Sequence, residues 1–140
     1  MESFAILLSS FKKSMNKEII NAADAPDPIG PYSQAVKVAG LLFISGQVAL
    51  KQGSPDLITS TIAEETEQVM NNLKAILTAA GLGFGHVIKT TIFLKDMSLF
   101  GSVNEVYGRF FESGFPARET VAVKGLPRDA NVEISMVAAE

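Results

Sequence analysis

The sequence predicts one α+β domain, a mixed sheet with two helices packed on one of its faces. Three observations carry this. The chain has 140 residues, 47% of them hydrophobic and 19% charged, enough for a single continuous core and unlike a disordered chain. Two stretches, one from Thr61 and one from about Asp96, repeat apolar residues at helical spacing. Around them lie short runs rich in β-branched and aromatic residues, bounded by glycine and proline. The resulting order is β-β-β-α-β-α-β-β, and two helices can cover only one face of such a sheet.

Residues 1–14 read as an N-terminal extension, expected to be flexible, ahead of a domain spanning 15–140. Their apolar run, Phe4-Ala5-Ile6-Leu7-Leu8, is too short to span a membrane, and Lys12-Lys13 follow it rather than precede it as in a secretory leader. The expected location is the cytoplasm, with no membrane partner. Three prolines stiffen the loop Asp24-Ala25-Pro26-Asp27-Pro28-Ile29-Gly30-Pro31, which delivers Tyr32-Ser33-Gln34 to a strand over Ala35–Ala39. Gly40 permits a turn into a second strand, Leu41–Ser45, and Ser45-Gly46-Gln47 ends it in a small corner where another group can approach the backbone. Thr61-Ile62-Ala63-Glu64 has the pattern of a capping box. Ile62, Val69, Leu73, Ile76, Leu77 and Ala80 form the buried stripe of the helix that follows, and Gly81 stops it.

Val87–Leu94 reads as a strand. Asp96 or Ser98 caps a second helix, whose stripe is Leu99, Val103, Val106, Tyr107 and Phe110, with the helical pattern ending at Phe111. Gly114 and Pro116 then make a stiff corner, from which a strand leaves at about Arg118 and runs to Lys124. Pro127-Arg128-Asp129 turns into the last strand, Val132–Ala138. Alternation puts Val132, Ile134 and Met136 on one face of it and Glu133, Ser135 and Val137 on the other. The face of the sheet without helices is uncharged over much of its area, which predicts subunits packing sheet to sheet.

Composition narrows the chemistry. The lack of cysteine excludes thiolate chemistry, while a serine–histidine–aspartate triad and most transition-metal sites would need the single histidine, His86, which reads as a solvated turn residue. His86 is given no role. A net charge of −3 argues against nucleic acid as the main partner. Polar groups at strand ends and stiff turns are the candidates: Tyr32, Ser45, Asn104, Arg118, Thr120 and Glu133. Arg118 sits on held backbone, where its planar fork can grip a carboxylate. Glu133, inside an otherwise apolar strand, is costly unless exposed or paired.

Ile29-Gly30-Pro31-Tyr32-Ser33-Gln34-Ala35, Ile44-Ser45-Gly46-Gln47, Phe115-Pro116-Ala117-Arg118 and Val132-Glu133-Ile134 stand in that order, with Ala79-Ala80-Gly81 and Lys89-Thr90-Thr91 between them. Together, from about Lys17 to Ala139, they resemble the RidA (YjgF) family of enamine/imine deaminases. The resemblance implies a chorismate-mutase-like domain, assembled as a homotrimer with active sites between subunits. It implies hydrolysis of 2-imino acids, of the 2-aminoacrylate or 2-iminobutyrate type, to 2-oxo acids and ammonia, with no metal and no organic cofactor. Carried over by motif, Arg118 holds the substrate carboxylate and Glu133 orients the attacking water or exchanges protons with it. Backbone around Ser45, Gly46 and Thr120 positions imine and water, while Tyr32 and Asn104 line the cleft. Many family members have cysteine where this chain has Thr120. The alternatives are an endoribonuclease or translation inhibitor, as some relatives are described, and a non-catalytic trimer that binds small carboxylates.

Overall fold

The computed structural model describes residues 3–8 and 16–140. Of the expected extension, residues 3–8 form a short exposed helical stretch, and the remainder of 1–14 lies outside the described residues. The domain contains β1 (Glu18–Ile20), β2 (Ala35–Val38), β3 (Leu41–Gln47), α1 (Ile62–Ala79), β4 (Val87–Leu94), α2 (Phe100–Gly108), β5 (Ala117–Ala122) and β6 (Val132–Ala139). Its element order is the one expected. No helix among the described residues is long and apolar enough to cross a membrane.

The strands form one sheet in the order β1-β2-β3-β6-β4-β5. All neighbours are antiparallel except β4 and β5, which are parallel. The last strand of the chain is therefore a central one. Its antiparallel pairing on both sides leaves β3 and β4 parallel to each other across it. Both helices are thus crossovers between parallel strands, and both step the same way along the sheet. Right-handed crossovers in one direction place their helices on the same face. This is why the two helices share a face.

The core lies between that face and the helices. Val132, Ile134 and Met136 pair with Leu94, Ile92 and Thr90, and all six are buried. Val69, Met70, Leu73, Ile76 and Leu77 of α1 and Val103, Val106 and Tyr107 of α2 close over them. The Thr61 hydroxyl accepts from Glu64 N at 3.1 Å, capping α1. The return bond of the expected capping box is displaced: the Glu64 carboxylate accepts from the Ser60 hydroxyl instead. Gly81, at φ +75°, ends the helix in the left-handed conformation expected of it.

Several boundaries differ from expectation: β5 ends at Ala122 rather than Lys124, and β6 runs one residue further, to Ala139. Ala39 is a turn residue rather than a strand residue, because the two-residue β2–β3 hairpin needs positive φ at both Ala39 (51°) and Gly40 (77°). β3 runs on to Gln47 through a bulge, with Ser45 and Gly46 set against one residue of β6. α2 stops at Gly108, and tighter i→i−3 bonds carry the turn from Arg109 to Phe111. The helix-free face carries Ile19, Val36, Phe43, Phe93, Val121 and Val137. Ile19, Phe43 and Val121 are each more than 40% exposed.

Candidate active site

Arg118 follows the corner that Gly114, at φ +64°, and Pro116 make between α2 and β5. It pairs in register with Thr90, so its side chain lies on the helix face of the sheet edge. There α2 presents Phe100, Asn104 and Tyr107, spaced four and three residues apart and hence on one side of the helix. Arg118 Nη1 donates to Asn104 Oδ1 at 2.6 Å. The guanidinium carbon lies 5.0 Å from the Tyr107 ring centre and 5.7 Å from that of Phe100, within cation–π range. Tyr107 is itself fixed, its hydroxyl donating to Thr90 Oγ1 at 3.0 Å. Burial raises its phenol above the usual value, so the group stays neutral.

Among the described residues Arg118 pairs with no carboxylate. Asn104 takes one donor and leaves the rest of the planar fork uncommitted. Thr120 follows two residues later on the same face. Its Oγ1 is buried and finds no hydrogen-bond partner among the described residues.

The second cluster is built by the proline loop and the β3 bulge. Gln34 is buried and holds the loop from below: its Oε1 accepts from Ala22 N at 2.6 Å and its Nε2 donates to Pro26 O at 2.9 Å. Tyr32 stands on that loop half exposed, its hydroxyl accepting from Ile29 N at 3.3 Å. The Ser45 hydroxyl donates to Ser33 O at 2.6 Å and its N–H to Gln34 O at 2.9 Å, so both of its donors are engaged in holding the loop against β3.

Glu133 lies over the bulge. A Cβ built on Gly46 would come within 2.9 Å of the Glu133 carboxyl carbon, so this glycine makes the seat for the carboxylate. Burial raises the Glu133 carboxyl above its ordinary value. Tyr32, Ser45, Gly46 and Glu133 border a cavity of about 530 Å³ that reaches Pro127 and Arg128.

The expected site residues therefore fall into two clusters. Arg118, Asn104 and Thr120 lie on the helix face at the β5 edge. Tyr32, Ser45, Gly46 and Glu133 lie elsewhere. Glu133 pairs with Phe93, and its side chain projects from the helix-free face, since its neighbours Val132 and Ile134 are buried beneath the helices. The sheet stands between the two clusters.

Sequence reasoning missed Phe100 and Tyr107 as partners of Arg118. Their spacing around Asn104 on one helix side was the available signal. It also missed Gln34 and a buried carboxylate, Glu65. The Glu65 carboxylate accepts from Asn131 N and Asn131 Nδ2 at 2.8 Å each and from Val132 N at 3.2 Å, pinning the start of β6 one residue before Glu133.

Residues 22–140 match the family described as endoribonuclease L-PSP. The mouse 2-iminobutanoate/2-iminopropanoate deaminase is 45% identical over 127 residues, which are 91% of this chain and 94% of the mouse protein. Among solved structures, the YjgF gene product of E. coli superposes with a TM-score of 0.84 at 37% identity, covering 88% of this chain and 98% of that one. E. coli TdcF with bound serine gives 0.84 at 36% identity, with the same coverage.

Proposed function

The chain belongs to the endoribonuclease L-PSP family, and from that footing we propose that it is a deaminase of small 2-imino acids, of the 2-iminobutanoate/2-iminopropanoate type. The reaction adds water across the C=N bond and releases ammonia, leaving the 2-oxo acid. The observation that carries this reading is the Arg118 guanidinium, held by α2 and, among the described residues, paired with no carboxylate. Such a fork takes up a carboxylate bidentately. The names of the mouse deaminase and of the serine-bound TdcF structure agree with a substrate of the amino-acid class.

Within this reading Arg118 grips the substrate carboxylate and fixes C2 of the imine. Glu133 takes a proton from the attacking water and passes it to the nitrogen, giving a tetrahedral adduct that carries a hydroxyl and an amino group on C2. It then relays the hydroxyl proton to that nitrogen, so that C2=O forms as the C–N bond breaks and ammonia leaves. A carboxyl raised by partial burial holds a proton more readily than an exposed one, which suits a group that must both take and give a proton. Backbone at the Ser45–Gly46 bulge and at Thr120 positions imine and water, and Tyr32 and Asn104 line the cleft. Because the sheet separates Arg118 from Glu133 within one protomer, the reading requires the Arg118 cluster of one copy to meet the Glu133 cluster of another. The exposed apolar residues of the helix-free face supply a surface for such packing, and we propose a homotrimer.

The test couples the protein to a pyridoxal-phosphate serine or threonine dehydratase, which generates the imine in place, and follows 2-oxo acid release. Arg118→Ala is expected to lower kcat/KM by about 30-fold or more, as loss of a charge-paired contact costs about 2–5 kcal/mol. If the wild-type protein does not accelerate release, the deaminase reading fails. The family's own description supports a second reading, cleavage of RNA. The net charge of −3 counts against it. RNA cleavage that survives Arg118→Ala in purified protein would favour it over the first.

A further inference from the structure

Beside the Arg118 fork lies a recess of about 290 Å³, walled by Asn104, Tyr107, Gly108, Phe115, Pro116 and Arg118. Its charged end is the guanidinium. Asn104 sits beside that end, and the remaining wall is a tyrosine ring, a glycine, a proline and Phe115, which is 66% exposed and lies at 6.0 Å, ring centre to ring centre, from Phe111. The fold gives no reason for the glycine. Gly108 closes α2 with no positive φ to accommodate, unlike Gly114 or Gly81. Among the described residues a Cβ added at Gly108 would meet nothing within 4 Å, so none of them forbids a side chain there. Glycine at a helical position weakens the helix relative to alanine. What it does provide is space in the recess wall.

Resting on the deaminase reading, we infer that Gly108 sets the depth of a side-chain pocket. That pocket takes imino acids whose apolar side chains exceed a methyl group. With the carboxylate on Arg118, the side chain enters between Tyr107, Phe115 and Pro116, and residue 108 forms the wall it meets. Apolar walls of this kind discriminate by about tenfold or more for a methylene gained or refused.

Gly108→Ala and Gly108→Leu are compared with wild type using imino acids generated by an amino-acid oxidase from alanine and from leucine. The expected result is a kcat/KM ratio, leucine-derived over alanine-derived, lowered about tenfold or more in Gly108→Leu and less in Gly108→Ala. The thermal midpoint should hold or rise in Gly108→Ala, which shows that the fold is kept. An unchanged ratio in both folded variants overturns the inference. So does a change in oligomeric state, which would make Gly108 an interface residue instead.

Calorimetric binding of two stable 2-oxo acids, pyruvate and 4-methyl-2-oxopentanoate, separates this inference from the reading beneath it. If wild type turns over no imine yet prefers the longer acid, and Gly108→Leu abolishes that preference, the pocket stands while the deaminase reading falls. If wild type shows no preference for the longer acid, the pocket falls whatever the turnover.

Discussion

Glu133 and Gly46 show how one residue sets the working state of another. The bulge puts a glycine beneath the carboxylate, the carboxylate settles where a side chain would have stood, and partial burial raises its proton affinity. The folded protein therefore holds this proton more tightly than the unfolded chain does. The burial costs nothing at pH values below the ordinary carboxyl value near 4.5, and the cost appears as pH rises through the raised value. Glu133→Gln keeps the shape and cannot ionise. It is expected to be more stable than wild type at pH 8 and equally stable near pH 4, as read from thermal melts at each pH. A stability gap that does not close at pH 4 would mean that ionisation is not its source. In the same variant deamination should fall by about 100-fold, the usual scale of lost general acid–base help.

At the level of elements, α1 and β6 are joined by a polar contact inside the core. Glu65 is fully buried, and three N–H donors at the mouth of β6 converge on it. Glu65→Ala leaves those donors without a partner and should cost about 3 kcal/mol or more in denaturant unfolding. Glu65→Gln, which keeps one acceptor, should cost less. Equal costs for the two would show that volume rather than hydrogen bonding matters there.

This contact also marks where the sequence stopped being legible. The alternation of Val132, Ile134 and Met136, the Thr61 cap and the Gly81 stop were each local signals, and each element formed as its local pattern dictated. Strand order is not local: β6 enters between β3 and β4 because its partners lie far back in the chain. Glu65 stands three residues after Ile62 and four before Val69, on the apolar stripe. Nothing in the local pattern separates it from Glu64 as a first-turn acid, because its partners, Asn131 and Val132, are distant in sequence. The Gly114–Pro116 corner singled out Arg118 and a charge in an apolar strand singled out Glu133, but only the register showed that they face opposite ways.

On the scale of the whole molecule, the sheet acts as a partition. One face is closed by helices, and the other leaves Phe43, Ile19 and Val121 open to a neighbour. The proposed trimer covers that face and brings unlike halves of the site together, so that each protomer gives its arginine to one junction and its glutamate to another. A consequence follows for populations of molecules. Two defective alleles, Arg118→Ala and Glu133→Gln, should complement each other. When the two proteins are unfolded together and allowed to reassemble at equal amounts, every mixed ring contains one junction where an intact arginine meets an intact glutamate. Roughly a quarter of wild-type turnover should return, from two preparations that are each nearly inert. If mixed rings form and nothing returns, the two groups serve their chemistry from within a single chain. In a cell expressing both alleles, complementation would make the pair of mutations milder than either alone.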